Sequence, residues 1–369
     1  MRFPRVKRRE ADLYIVVGVL MLLAIGQVMV FSASGVRAED VYGHPYFYLQ
    51  RQALWALVGL GAMLVCSRIN YRAWYRLSGL VFVVTLLLLL VVLVPGVGHM
   101  GGGSQRWLGF GAWRLQPSEL AKLAVVIIFA RYLAGCILSG RTPGRVIAPL
   151  LVGCGLVCGL ILIQPDLGTA MAVAGTSFVL LFASGVSILS LAGVAMLALP
   201  AIGYLVLFED YRRRRFLAFL DPWADPLGSG FHIIQSLYGL GSGFIFGRGL
   251  GQSRQKFYYI PELHTDFIFA VLGEELGFVG GTVVLGLFMF LIWRGYLVAL
   301  RAPDPFGALL AAGVTTMIAV QVIMNVGVVT SMLPVTGITL PFFSYGGSSL
   351  VFTLAGVGIL LNVSKYRRA

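Results

Sequence analysis

The sequence predicts an all-α, polytopic membrane protein with ten transmembrane helices and one long, partly structured extracytoplasmic loop between helices 7 and 8. Three observations carry this. Of 369 residues, 58% are hydrophobic and only 12% charged, about half the charged share of a soluble globular domain. The apolar residues fall in runs of about 18–24, long enough to cross a hydrocarbon core roughly 30 Å thick. The basic residues, which give a net charge of +13, gather at the ends of those runs. That is the positive-inside pattern of a membrane protein, and it argues against a nucleic-acid partner.

In chain order, residues 1–12 form a basic cytoplasmic N-terminus. The run after it is too long for the apolar core of a cleaved signal peptide, so it reads as a retained first helix. Spans are expected at 13–34, 49–67, 77–94, 116–134, 146–163, 168–184 and 187–208, which fill the region 13–208. After a loop over 209–266, three more follow at 267–293, 306–329 and 347–363 in the region 267–363, and 364–369 returns to the cytoplasm. This topology puts Arg68, Arg72, Arg76, Arg131, Arg294, Arg301, Lys365 and Arg367 inside. Arg37, Arg51, Arg106 and Arg114 fall outside. Cys66, Cys136, Cys154 and Cys158 lie in or beside apolar spans, where packing explains them better than a disulfide framework or a metal site.

The outer connections carry the polar chemistry. Between spans three and four, glycines with Trp107 and Trp113 suit an interfacial turn in an aromatic belt. Span four opens with Gln116 and Pro117. Glu119 and Lys122 are three residues apart and can pair, either gluing helices together or lining a cavity. Asp166, in the reversal between spans five and six, either caps the next helix or lines a site. Residues 330–349 hold Pro334, Pro341 and Gly346-Gly347, and irregular backbone at membrane depth needs protein or a wet cavity around it. Either a re-entrant, cavity-lining element or a structural connector is expected there.

The loop over 209–266 is too long for a plain connection. Arg212, Arg213, Arg214 and Arg215 are either an interfacial charge cluster or a grip on an anionic lipid or pyrophosphate, to which Arg248, Arg254 and Lys256 can add. Residues 231–238 suit a short amphipathic helix with Ile233, Ile234 and Leu237 toward the membrane and Gln235 and Ser236 away from it. The loop closes on Tyr259-Ile-Pro-Glu-Leu-His-Thr-Asp-Phe267, where Thr265 or Asp266 can cap the next helix. If helical geometry starts by Glu262, that acid and Asp266 share a face and their repulsion pushes one carboxyl up, making Asp266 a candidate base. Glu274 and Glu275 are adjacent, so different partners and a supporting role are expected for them.

No nucleotide fingerprint or cysteine–histidine metal signature is present. From residues alone, three functions stand: an enzyme acting on a lipid-linked anionic substrate at the outer face, a transporter, or a scaffold for other membrane proteins. The polar residues concentrate at one outer junction rather than at midplane in two repeated halves, which favours the enzyme.

Four ordered motifs resemble one family. They are Gln116-Pro-Ser-Glu-Leu-Ala-Lys122, Gln164-Pro-Asp-Leu-Gly-Thr169, Pro261-Glu-Leu-His-Thr-Asp-Phe267 with Gly273-Glu-Glu-Leu-Gly277, and Leu333-Pro-Val-Thr-Gly337 with Pro341-Phe-Phe-Ser-Tyr-Gly-Gly-Ser-Ser349. Together they resemble the SEDS family (shape, elongation, division and sporulation) over nearly the whole chain. The stretches 212–223, 252–258 and 339–341 look more like its FtsW and SpoVE branch than RodA, the nearby alternative.

The resemblance implies a peptidoglycan glycosyltransferase that polymerises lipid II on the outer face of the bacterial cytoplasmic membrane, inverting the donor linkage and releasing undecaprenyl pyrophosphate. The alternative implied is a lipid II flippase. The resemblance also implies a class B penicillin-binding protein as partner, and Asp266 as general base. It places Glu119 and Lys122 in a central cavity, with Glu262 and His264 flanking the base and Gln116, Asp166 and Ser344 in supporting positions. Arg212, Arg213, Arg214, Arg215, Arg248, Arg254 or Lys256 would hold the pyrophosphates, and a divalent cation, Mg or Mn, can share that task.

Overall fold

The computed structural model describes residues 9–101, 104–110, 113–140, 144–256 and 264–367. Helices occupy every apolar run: α1 (Leu13–Tyr42), α2 (Phe47–Arg68), α3 (Tyr71–Val91), α4 (Pro117–Leu138), α5 (Gly144–Ile163), α6 (Leu167–Ala183), α7 (Ile188–Leu207), α10 (Ile268–Leu300), α11 (Pro305–Val329) and α12 (Gly347–Ser364). Among the described residues, eight of these are long and apolar enough to cross a membrane, while the apolar parts of α5 and α6, Ile147–Ile163 and Leu167–Ala183, are shorter.

Helices α4, α11 and α12 form the buried centre, and α7 is almost entirely exposed at the edge. Helices α2 and α12 meet closely because Gly358 has no side chain. A methyl there would sit 2.4 Å from the Met63 carbonyl.

Between α3 and α4 the chain does not simply turn. It builds a small antiparallel sheet in the order β1 (His99–Gly101), β2 (Ser104–Phe110), β3 (Trp113–Leu115). Its glycines had suggested only reversals. Instead β2 pairs with both neighbours, Gly101 opposite Ser104 and Phe110 opposite Trp113, and the sheet carries Trp107 and Arg106 over the start of α4.

The long loop is partly helical, with α8 (Asp210–Leu220), a single 3-10 turn at Pro222–Ala224, and α9 (Phe231–Ser242). In α9, Ile233 and Ile234, expected toward the membrane, are buried within the protein, and Ser236, expected to face away from it, is buried too. The reason is a hydrogen bond: Ser236 Oγ donates to the Val329 carbonyl at 2.7 Å, satisfying an orphan acceptor at the end of α11.

Helix α10 is broken at Gly277, whose φ of 67° and ψ of −167° are closed to other residues. The segment after α9 fills the break. Phe278 N donates to Phe244 O at 2.9 Å and Val279 N to Ile245 O at 3.0 Å, while Arg248 N and Gly249 N donate to Glu274 O and Glu275 O, each at 3.0 Å. Backbone groups freed by the kink therefore stay paired, as a membrane interior demands.

The two acids beside the break hold this segment and share Ser253, whose N donates to Glu275 Oε1 at 3.3 Å, while their other partners differ. Glu274 accepts from Ser253 Oγ at 2.5 Å and Arg254 N at 3.0 Å, whereas Glu275 accepts from Ser32 Oγ of α1 at 2.6 and 2.7 Å.

Candidate active site

Helices α2, α4, α6, α10 and α12 all begin around one cavity of about 530 Å³. A helix N-terminus carries a partial positive charge and unpaired N–H groups. Helices α2, α4, α10 and α12 have no side-chain cap, and only α6 is capped, by Asp166. Helices α1, α3, α7 and α11, which start at the other end of the bundle, are capped by Asp12, Asn70, Ser187 and Asp304. The cavity thus sits where uncapped helix ends converge, a setting suited to an anionic ligand.

Asp266 lines this cavity, half-buried, from a turn just ahead of α10. The N-cap of α10 is Phe267, so neither Thr265 nor Asp266 occupies that position. The helix starts at Ile268, and Asp266 lies in a turn two residues ahead of it. Residues 264–267 run as a turn because Asn325 of α11 holds them: its Nδ2 donates to Asp266 O and to Ile338 O, both at 2.8 Å. That amide joins the Asp266 turn to Gly337, Ile338 and Thr339, which line the cavity from the irregular segment before α12. Glu262 itself lies outside the described residues.

His264 is wedged between Tyr48 and Tyr345, with ring centroids 4.5 and 5.4 Å apart, and its carbonyl accepts from Tyr345 N at 2.8 Å. Burial, helped by the positive charge of Arg37, pushes its imidazole down to about 4. At neutral pH it is an uncharged wall of the pocket.

On the opposite wall Lys122 Nζ lies 2.8 Å from Glu119 Oε2 and donates to Gln321 Oε1 at 2.8 Å. Gln116 Nε2 donates to Asp166 Oδ2 at 3.3 Å, and Asp166 also accepts from Thr169 N and Thr169 Oγ1 and lies 3.8 Å from Arg106. Gln116, Glu119, Lys122, Asp166, His264 and Asp266, scattered over some 150 positions of sequence, therefore border one space.

The predicted basic residues lie away from this cavity. Arg212 donates to the carbonyls of Leu205 and Leu162 at 3.3 and 3.2 Å, tying α8 to the ends of α7 and α5. Arg215 donates to Val335 O at 3.3 Å and stacks on Tyr211, while Arg213 and Arg214 are exposed on α8. Lys256 Nζ donates to Gly251 O, and Arg248 and Arg254 border a separate groove. None of these lines the cavity. Two of the four clustered arginines serve main-chain carbonyls instead, a use that sequence spacing cannot separate from phosphate binding. Ser344 is also structural: its Oγ accepts from Leu340 N at 2.7 Å, closing the turn at 340–344.

The cations that do line the cavity are Arg51, Arg106, Arg114 and Lys122. The three arginines are isolated in sequence, and only the fold brings the first turns of α2 and the small sheet together. Gln321 and Asn325 were also missed. Two amides four residues apart in an otherwise apolar span were a legible signal, because polar groups at that depth face a partner or a wet space. Tyr42, Phe47, Tyr48, Trp55, Trp107 and Tyr345 give the cavity an aromatic side, with Arg51 4.3 Å over the Phe47 ring.

Comparison with known proteins agrees with this architecture. The family model described as cell cycle protein, for FtsW, RodA and SpoVE, matches residues 12–369. Stage V sporulation protein E of Bacillus subtilis (strain 168) is 48% identical over 365 residues, covering 98% of this chain and 99% of that protein. The probable peptidoglycan glycosyltransferase FtsW of Geobacter metallireducens is 45% identical over 353 residues, covering 96% and 94%. Among solved structures, a chain of a peptidoglycan synthase complex is 36% identical with a TM-score of 0.78, covering 96% of this chain and 97% of that one. The rod shape determining protein RodA of Thermus thermophilus is 32% identical with a TM-score of 0.73, covering 97% and 98%.

Proposed function

Because the chain belongs to the FtsW, RodA and SpoVE family, we propose that it is a peptidoglycan glycosyltransferase of a bacterial membrane, polymerising lipid II with release of undecaprenyl pyrophosphate. One observation carries the reading: the Asp266 carboxylate borders a cavity on which arginines and uncapped helix N-termini converge. That combination pairs a base with a site for a departing anion.

Asp266 takes the proton from the 4-hydroxyl of the acceptor N-acetylglucosamine. The hydroxyl oxygen attacks the anomeric carbon of the donor N-acetylmuramic acid from one face, and the bond to the pyrophosphate breaks on the other, inverting the configuration. Charge developing on the leaving group is met by Arg51, Arg114 and the helix ends. Arg106 is committed to the 164–166 turn and Lys122 to Glu119, so these two shape the wall and add to its positive field. Asn325 positions the base through its carbonyl.

Among the described residues, no three acidic, imidazole or thiol groups gather closely enough to hold a metal. A divalent cation, which commonly sits between one or two carboxylates and substrate phosphates, would share the pyrophosphate charge with the cavity arginines.

The wider assignment has ten spans, both termini in the cytoplasm and the cavity open to the outside. Arg68, Arg72, Arg294, Lys365 and Arg367 at the opposite end of the bundle from the cavity support it through the positive-inside rule. A class B penicillin-binding protein is the proposed partner, supported by the likeness to a chain of a peptidoglycan synthase complex.

The test is polymerisation of purified lipid II by the chain reconstituted with that transpeptidase. Asp266→Asn is expected to lower polymer on a gel by about 10²–10⁴-fold, with folding and partner binding kept. Near-normal polymer from this variant removes Asp266 as the base.

A further inference from the structure

Two of the basic residues that the cavity leaves aside meet elsewhere. Arg248 and Arg254 border a second groove of about 430 Å³, walled by Leu237, Tyr238 and Phe244 and floored by Glu274. It shares no lining residue with the catalytic cavity.

The groove is built by the same bonds that repair the break in α10. Glu274, 1% exposed, accepts from Ser253 Oγ, Arg254 N and Gln255 N, which fixes the backbone carrying Arg254. Arg248 N donates to Glu274 O at 3.0 Å, and its Nε donates to Ser242 O at 3.1 Å, which leaves the two terminal nitrogens of the guanidinium for a ligand. Phe244 has a φ of 47°, a region that bulky residues rarely take. It is held there while its carbonyl accepts from Phe278 N at 2.9 Å. Phe244 is 81% exposed and Phe246 82%.

We propose that this groove binds the phosphate of an anionic phospholipid, with an acyl chain running past Phe244 and Phe246. Two guanidinium groups against one carboxylate leave a single net positive charge, which matches the single negative charge of a phosphodiester. A polyprenyl pyrophosphate would bring more negative charge than the groove offsets. Bare phenyl rings beside guanidinium groups are poorly served by water alone, but at headgroup depth the rings meet acyl chains and the arginine forks meet phosphate oxygens. The bonds to Glu274, Glu275, Phe278 and Val279 fix this face to α10, so the lipid would brace the repaired break from outside. The assignment stands apart from the glycosyl-transfer reading, because its measurement reads bound lipid and not polymer.

The experiment titrates delipidated full-length protein with phosphatidylglycerol, phosphatidylcholine or undecaprenyl pyrophosphate and counts bound molecules by native mass spectrometry. Wild type is expected to bind one phosphatidylglycerol at least tenfold more tightly than phosphatidylcholine. The double variant R248Q/R254Q is expected to lose that preference, and R248K/R254K to keep it in part. Equal binding of the two phospholipids by wild type overturns the proposal. So does an unchanged preference in the glutamine variant, or a preference for undecaprenyl pyrophosphate that the glutamine variant abolishes. Hydrogen-exchange protection of residues 248–254 by the transpeptidase, but not by phosphatidylglycerol, overturns it in favour of a protein partner. The wild-type comparison needs no variant, so misfolding of the glutamine protein leaves the question decidable.

Discussion

Lys122 is 5% exposed, and its ammonium is matched by Glu119 and Gln321 alone among the described residues. Removing one partner of a buried ion pair leaves an uncompensated charge, at a cost of about 3–5 kcal/mol. Lys122→Met is expected to lose that much unfolding free energy in a denaturant titration. Adding Glu119→Gln should restore most of it without restoring polymerisation, which separates the pair's contribution to stability from its place in the cavity. His264 gives a pH dependence of known sign. Its imidazole titrates at about 4 when folded against 6.5 as a free group, so below 6.5 the unfolded chain binds more protons and stability falls. Hydrogen-exchange protection of residues 264–267 should hold above pH 6.5 and decline as pH drops toward 4. In His264→Phe, which cannot titrate, that decline should be absent. The His-Thr-Asp segment was legible as a site from its residue types. The flanking tyrosines were not, because Tyr48 and Tyr345 reach His264 from opposite ends of the chain.

Helix ends divide the bundle into two unlike faces. The starts of α1, α3, α7 and α11 carry Asp, Asn or Ser caps, and those around the cavity mostly carry none. Caps are a local signal, so this difference can be read from sequence once the helix starts are known. Helix α10 follows another rule. Periodicity marks one long apolar span, and nothing in that pattern reports that 244–249 crosses it at Gly277. A methyl at Gly277 would lie 2.2 Å from the Gly247 backbone nitrogen at a φ of 67°. Gly277→Ala should therefore lose more than about 3 kcal/mol, the upper end for backbone strain alone. Thermal unfolding and protease access to the 243–256 segment would measure this. Wild-type behaviour would mean that the crossing is not needed for stability.

For the molecule as a whole, the proposed orientation has a direct check in intact cells. The native cysteines are buried or partly buried, so new ones can be labelled selectively. Leu227→Cys, at a loop tip 90% exposed, should react with a membrane-impermeant maleimide. Ser139→Cys, at the far end of α4, should react only after permeabilisation. The reverse pattern would put the cavity in the cytosol, where the proposed chemistry has no role. The hydrophobic runs, their helical state and the polar motifs at the outer connections followed from the chain alone, since each depends on neighbours a few positions apart and on the bilayer as solvent. Which positive charges surround Asp266 did not follow. Arg51, Arg106 and Arg114 reach the cavity only when α2 and the small sheet fold over it, while Arg212 and Arg215, the more conspicuous cluster, are drawn off by carbonyls at the ends of other elements. A guanidinium settles where acceptors lie within about 3 Å, and in a bundle of this size those acceptors come from residues distant in sequence that packing alone brings near.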